Sequence, residues 1–226
     1  VTAQDITAQD AEVTLASGRT LRGRVLIGSD GRASGTALRA RIKRRGWGYG
    51  QTALVCAIAH EKPHHGVAHQ FFMPAGPLAI LPLKGNVSSI VWSETSANAA
   101  AIHALSDDEY LEALRPRFGD FLGKISLAGK RFTYPLGLSV CERFSGLRLA
   151  LVGDAAHGMH PIAGQGLNAG LRDVAALAQV LSEAHMRGED IGALDVLERY
   201  QEWRKLRRGF IREAAGLTGD LPELMR

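Results

Sequence analysis

The chain has 226 residues, 46% hydrophobic and 22% charged, with a formal net charge of +4. That length buries a substantial core in one or two domains, and that composition excludes a disordered or fibrous chain. The basic residues are dispersed apart from residues 43–45 and 204–208, which argues against nucleic acid as a partner and leaves an anionic cofactor or an acidic membrane surface as the better match.

Residues 1–28 read as an antiparallel pair feeding a strand. Residues 12–15 alternate, Ser17-Gly18 turns, and residues 20–27 alternate again before Gly28-Ser29-Asp30-Gly31. Next, Gly46-Trp47-Gly48-Tyr49-Gly50 predicts a tight turn with a packed aromatic corner, followed by a strand over residues 52–59. His60, His64, His65 and His69 invite a metal, but Pro63 and Gly66 interrupt the segment. No regular helix face carries the spacing of four, so the histidines are read as a loop between strands and no metal is expected.

Residues 68–94 predict a β-meander: 68–73, then 76–83 bounded by Pro77 and Pro82, a turn at Lys84-Gly85-Asn86, and 87–92. A helix follows from Ser106, with Glu109 completing a capping box and acids in the first turn, and it is expected to run to about Arg115 before Pro116. Residues 124–135 return to strand, with Arg131 and Tyr134 as candidate substrate-pocket residues. Cys56 and Cys141 lie in apolar strand-like runs, the setting of buried free thiols in a reducing compartment, although sequence leaves a disulfide open. No run reaches the roughly 18 apolar residues of a membrane span and no basic-then-apolar leader opens the chain.

Residues 148–181 organise the rest. The apolar run 147–152 ends in Gly153-Asp154, as a buried strand of an α/β sheet hands over to a loop. The loop holds glycines and a proline, and helical periodicity takes over at Leu167, with Leu171, Val174, Ala175, Ala178 and Leu181 predicted to face a sheet. A helix N-terminus offers unpaired N–H groups and partial positive charge, glycines admit a ligand to the backbone, and a short carboxylate at the strand's carboxyl end suits sugar or ribityl hydroxyls. A last amphipathic helix is expected over residues 195–217, with Val196, Tyr200, Trp203, Phe210, Ala214 and Leu217 inward and Arg204, Lys205, Arg207, Arg208 and Arg212 on a solvated basic face.

Gly153-Asp154-Ala155-Ala156-His157, then His160-Pro161, then Gly164-Gln165-Gly166-Leu167-Asn168-Ala169-Gly170-Leu171-Arg172-Asp173 resembles the second flavin motif of FAD-dependent aromatic monooxygenases. Within them the chain is most similar to the ubiquinone-biosynthesis hydroxylases, which act on polyprenylated phenols; the run 76–83 and the Ser-x-Val-Trp at 89–92 fit that narrower group. Residues 25–34 resemble the Asp-Gly motif of the same enzymes, which lies near the FAD pyrophosphate. Where the family has an arginine, three residues after Ser34, this chain has Ala37, with Arg39 two residues later.

The resemblance implies an α/β (α+β) fold: an incomplete FAD/NAD(P)-binding fold of the p-hydroxybenzoate-hydroxylase type with a mixed β-sheet substrate domain. The expected domains are 1–40, a remnant of the FAD-binding domain with the Asp-Gly motif; 41–135, the substrate domain; and 136–226, the C-terminal part of the FAD-binding domain. It implies FAD as cofactor and NAD(P)H as reductant. The expected cofactor residues are Asp30, Gly31, Arg32, Gly153, Asp154, Ala155, His157, Pro161, Gly164, Gln165, Gly166, Leu167 and Asn168, with His157 ordering the loop rather than acting as a base. No side chain is expected to do acid–base catalysis.

The implied partners are a prenylated phenol and, as further expectations, a homo-oligomer or a ubiquinone-biosynthesis complex and peripheral membrane contact. The expected location is the cytoplasm or, as the alternative, the periphery of the inner membrane. A G-x-G-x-x-G turn is not found in the chain, since residues 46–50 have the wrong spacing. The resemblance therefore starts about a third of the way into the family pattern, and weak FAD binding and self-association are expected of this piece alone. Two competing readings stay open: a flavin hydroxylase of a small soluble phenol, and a non-catalytic scaffold.

Overall fold

The computed structural model describes residues 1–160 and 165–206, with side chains through Arg204. Pro161, Gly164 and the part of the last expected helix beyond residue 206 lie outside the described residues. The chain divides into two compact units: Val1–Trp47 with the residues from Leu138 onward, and Gly48–Gly137.

The first unit begins with a three-stranded antiparallel sheet, β1 (Ala3–Ile6), β2 (Ala11–Thr14) and β3 (Thr20–Gly23). β4 (Leu26–Gly28) then joins a different sheet, beside β12 (Leu149–Leu151) and β11 (Ser145–Gly146). Residues 20–27 are thus two strands rather than one, and β1 is an element the alternation did not signal. β4 pairs parallel to β12 while β11 pairs antiparallel to it, so the mixed pairing lies in this small sheet. A short helix, α1 (Gly35–Arg39), is capped by the Ser34 hydroxyl, which accepts from the Ala37 amide.

β5 (Arg44–His60) and β10 (Phe132–Cys141) each run through both units. The expected glycine turn at residues 46–50 is instead part of the 17-residue strand β5. The reason at Gly46 is close approach: a Cβ there would lie 2.0 Å from the Leu138 carbonyl oxygen of β10. A glycine that marks a turn in isolation here marks two backbones in contact.

In the second unit β6 (His69–Met73), β7 (Gly76–Pro82) and β8 (Val87–Thr95) form the expected meander, in the order β5-β8-β7-β6, with β9 (Ile125–Leu127) also on β5. These pairings are antiparallel. Alternation puts Leu54, Cys56, Ile58, Leu78, Ile80, Ile90 and Trp92 on one face. Against it pack α2 (Ser96–Ala104), a helix without a strong sequence signal, and α3 (Asp107–Phe118), through Tyr110, Leu111, Leu114 and Phe118. The Ser106–Glu109 capping box forms as expected, but α3 runs through Pro116 and ends at Gly119, whose φ is 78°. Pro116 has no N–H to give the helix ladder, yet the helix continues past it to the buried Phe118.

α4 (Gln165–Met186) and α5 (Leu194–Leu206) complete the first unit. The packed face of α4 is Ala169, Asp173, Ala176, Leu177 and Ala184, while Leu167, Leu171 and Val174 are exposed. Periodicity fits either choice of face, and the small residues and the aspartate won because the backbone of the strand-to-loop junction comes close: a Cβ on Gly170 would stand 3.4 Å from the Gly153 Cα. On α5, Val196, Leu197 and Tyr200 are buried, and so is Arg204, against the expectation of a solvated basic face. Both cysteines are buried free thiols. Among the described residues no helix is long and apolar enough to cross a membrane.

Candidate cofactor site

The site follows from one pairing. β4 and β12 are parallel, with Leu26, Ile27 and Gly28 opposite Leu149, Ala150 and Leu151. Their carboxyl ends therefore lie side by side, and from them leave the two loops that carry Asp30 and Asp154. Gly28 is required there, since a Cβ would meet Leu151 Cδ2 at 2.7 Å and Thr36 Cγ2 at 2.9 Å. The Val152 amide donates to the Gly28 carbonyl at 3.0 Å, extending the pairing to the mouth of the loops.

The Asp30 carboxylate organises its own loop. Oδ1 accepts from the Ser34 hydroxyl at 2.6 Å, and Oδ2 accepts from the Thr36 amide at 2.9 Å and the Thr36 hydroxyl at 3.0 Å. Partial burial opposes its ionisation, but these donors outweigh it and hold the carboxyl below the usual range. Asp30 thus shapes the turn, while Gly31, at φ 80°, supplies the left-handed residue next to it.

Arg32 joins the two loops. Its NH2 donates to the Met159 carbonyl at 2.6 Å and its Nε lies 3.6 Å from Asp154 Oδ2. Its stem passes over Gly158, where a Cβ would come within 2.8 Å of Nε. The Asp154 side chain remains half exposed, so its carboxylate is available to a ligand. His160 is buried, and burial first, then the Arg32 charge, holds its imidazole below the ordinary histidine value.

The loop between β12 and β13 (His157–Gly158) contains a 3₁₀ turn over Gly153–Ala155. Arg44 holds it from β5: NH1 donates to the Ala155 carbonyl at 2.8 Å, NH2 to the Asp154 carbonyl at 3.0 Å, and Nε to the Ser139 hydroxyl at 2.9 Å. The Cys141 amide donates to the Ala156 carbonyl at 2.8 Å. Burial raises the Cys141 thiol, which packs against this loop as a small apolar group with its Sγ 3.3 Å from the Ala155 carbonyl.

His157 is buried and its Nε2 is 2.7 Å from Asp173 Oδ2, so its ring faces the interior and ties the loop to α4. Gln165, Gly166, Leu167 and Asn168 form the first turn of α4, with the Leu167 and Asn168 side chains exposed. Their backbone amides are the donors of a helix start, which have no acceptor within the helix. The structure thus brings Asp30, Gly31, Arg32, Gly153, Asp154, Ala155 and His157 into one region of the first unit.

Arg131 and Tyr134 belong to the second unit. Arg131 is tied up within it: Nε pairs with Asp107 at 3.2 Å, NH2 donates to the Leu105 carbonyl at 2.8 Å, and the guanidinium covers the Tyr110 ring. Tyr134 is exposed. Among the described residues no cluster of metal-ligating side chains occurs; His60 instead bonds Lys62 and Ser88. Arg39 ends α1 with its guanidinium against Gly35, inside the first unit.

Sequence reading missed Arg44, Asp173 and Arg204. Asp173 alone left a signal, as an acid on the face of α4 that the helix turns inward. Arg44 and Arg204 sit in basic runs that look solvated.

Residues 2–210 match the FAD binding domain family (FAD_binding_3). The chain is 50% identical over 192 residues to the ubiquinone hydroxylase UbiL of Rhodospirillum rubrum, covering 85% of this chain and 45% of that protein. It is 35% identical over 227 residues to the mitochondrial ubiquinone biosynthesis monooxygenase COQ6 of Rattus norvegicus, covering 85% and 48%. The chain spans about half the length of the curated relatives it matches. Among solved structures, PqsL of Pseudomonas aeruginosa, a probable FAD-dependent monooxygenase, matches with TM-score 0.72 at 25% identity over 93% of this chain and 60% of that one. The p-nitrophenol 4-monooxygenase PnpA of Pseudomonas putida matches in fold, with TM-score 0.76 at 21% identity over 98% and 56%. With the two loops gathered at the ends of parallel strands and a match over nearly its whole length, the chain belongs to the FAD binding domain family, and the relatives it resembles include ubiquinone-biosynthesis hydroxylases.

Proposed function

We propose that this chain is the Asp-Gly and Gly-Asp part of an FAD-dependent hydroxylase that uses NAD(P)H and acts on a polyprenylated phenol in ubiquinone biosynthesis. The observation that carries the reading is the parallel β4–β12 pair, which sets the Asp30 and Asp154 loops side by side at the carboxyl ends of the strands. Identity to ubiquinone hydroxylases supports the substrate class.

The residues present fit the cofactor. A half-exposed carboxylate, a guanidinium bridging both loops and the first-turn amides of α4 are the donor and acceptor set of a polyhydroxylated anionic ligand. Asp154 would accept from ribityl hydroxyls, Arg32 would balance its charge and face phosphate, and the amides of Gly166, Leu167 and Asn168 would stabilise negative charge on the ring. Bound FAD supplies the oxidising chemistry. What the chain contributes is binding, orientation and a loop held by Arg44.

The test uses the full-length protein. Asp154→Ala is expected to weaken FAD binding by roughly ten-fold or more, as loss of a charge-assisted hydrogen bond of about 1–3 kcal/mol requires. Unchanged flavin content refutes the role of Asp154. Turnover of a short soluble phenol with none of a prenylated one refutes the substrate class.

A further inference from the structure

Behind the loop of residues 153–157 lies a polar cluster that the ligand reading does not use. Asp173, in the middle of α4, is 0% exposed. Its Oδ2 accepts from the Gly153 amide at 2.8 Å and from His157 Nε2 at 2.7 Å. Its Oδ1 forms an ion pair with Arg204 of α5, whose Nε lies 2.5 Å away, and Arg204 itself is 5% exposed. An arginine NH2 also stands 3.3 Å from His157 Nε2. The carboxylate is an acceptor only, so His157 carries a proton on Nε2 and donates it to Asp173. The edge of His157 rests against the Phe144 ring.

Two features distinguish this cluster from ordinary packing. First, one carboxylate oxygen takes donors from both ends of the same five-residue segment, residues 153–157, which bears Asp154 next to its first residue. Gly153 is at φ 60°, a left-handed turn that points its amide inward to Asp173. Second, burying an ion pair in a helix interface is a poor route to stability, because desolvation of both charges offsets their attraction and apolar side chains of similar volume do as well. What the pair supplies that apolar residues cannot is a fixed acceptor at a defined point.

We propose that Asp173, kept in charge balance by Arg204, is the positioning residue of the cofactor loop: it sets residues 153–157 from behind, before any ligand arrives, so that Asp154 meets the cofactor in place. The proposal rests on the flavin reading of this site. It makes α5, which is remote from the ligand side of the loop, part of the binding machinery through Arg204. It also makes the free loop preformed, so binding pays little ordering entropy.

Three measurements on the full-length protein test it. Asp173→Asn keeps the size and loses the charge; it is expected to raise the FAD dissociation constant by roughly ten-fold and to change the visible circular dichroism of bound flavin, which reports ring geometry and not global stability. A dissociation constant within two-fold of wild type together with a superimposable spectrum overturns the proposal. Arg204→Lys keeps the charge without the planar fork and is expected to weaken FAD about three-fold with the same spectral change; wild-type behaviour overturns the proposal here too, and this variant carries the test if Asp173→Asn does not fold. The third needs no variant: hydrogen exchange of the amides of residues 153–157 in the flavin-free protein is expected to match that of the flavin-bound protein. Protection that appears only with FAD shows a loop ordered by its ligand and overturns the proposal. A wild-type protein that neither retains nor takes up FAD refutes the flavin reading itself and this role with it, whereas a flavin-binding wild type with an indifferent Asp173→Asn refutes the role alone.

Discussion

In the second unit the largest fully buried side chains are Trp92, Tyr110, Phe118, Leu54, Ile58, Leu78, Ile80, Ile90 and Leu114, packed between one sheet face and α3. Around the loops of the first unit the buried set includes Arg148, His157, Asp173 and Arg204. The second unit holds its shape by apolar area, which is large but tolerant of direction. The first holds backbone loops by charge-assisted hydrogen bonds, which are individually small in net stability but fix an atom's position. A sheet that must only stay folded and a loop that must present one carboxylate call for these two different chemistries. The second unit has polar exceptions in His60, Ser88, Ser93 and Glu94, and only Glu94 is a buried carboxylate among its described residues; it accepts from Trp92 Nε1 and pairs with Arg117.

The largest expected effect is on the apolar side of the contrast. Trp92→Ala should cost about 3–5 kcal/mol, the range for emptying a large buried aromatic site, read as a shift of the denaturant midpoint. A loss below about 1 kcal/mol would mean that the second unit does not rest on this core.

Arg148 is the sharper test of the polar side. It is buried at the junction of β12 with the turn before β2 and the link between α4 and α5, donating to the Ala8 and Arg24 carbonyls and pairing with Asp190. Arg148→Met should cost about 2 kcal/mol, below the value for a wholly buried pair because Asp190 is partly exposed and screened. Equal stability of the variant would show that this junction is held by packing.

The same pair sets a pH dependence. The Asp190 carboxyl is held down to about 2, first by the Arg148 hydrogen bond and then by the Gly192 amide. The folded value is depressed, so the contribution is fully present above the ordinary carboxylate value near 3.8 and is lost as pH falls through about 2. Stability of the wild type should therefore fall more steeply than that of Arg148→Met between those two pH values. Parallel curves would remove Asp190 from the account.

The smallest effect belongs to a feature common to neither chemistry. Ser106→Ala removes the N-cap of α3, where the serine and Glu109 satisfy each other's backbone amides, and should cost about 1 kcal/mol. No change in the unfolding midpoint would mean that burial alone starts the helix.

Much of the second unit was readable along the chain, because alternation, the Lys84-Gly85-Asn86 turn and the capping box are local signals that burial reinforces. The first unit was readable as a motif and less so as a structure. Its second loop and helix were recognisable from residues 153–173, yet the buried face of α4 was misassigned. Leu167, Leu171 and Val174 satisfy helical periodicity as well as the residues that are buried do, and periodicity carries no information about what lies opposite. The run at residues 46–50 failed for a related reason: glycine is equally suited to a turn and to contact between backbones, and Leu138, which decides the matter, is far along the chain.

The sequence by itself determined the elements whose causes are local: the capped helix α3, the meander, and a strand, glycine loop and helix suited to an anionic ligand. Only the tertiary structure decided that β4 and β12 run parallel and side by side, which puts Asp30 next to Asp154. It alone decided that Arg44, Asp173 and Arg204 hold the loop between them. Strand pairing and buried ion pairs join residues more than a hundred positions apart in the first case, and between α4 and α5 in the second. Such contacts form because the backbone groups and charges involved have lost water and must find one another, a requirement that exists only once the chain is folded.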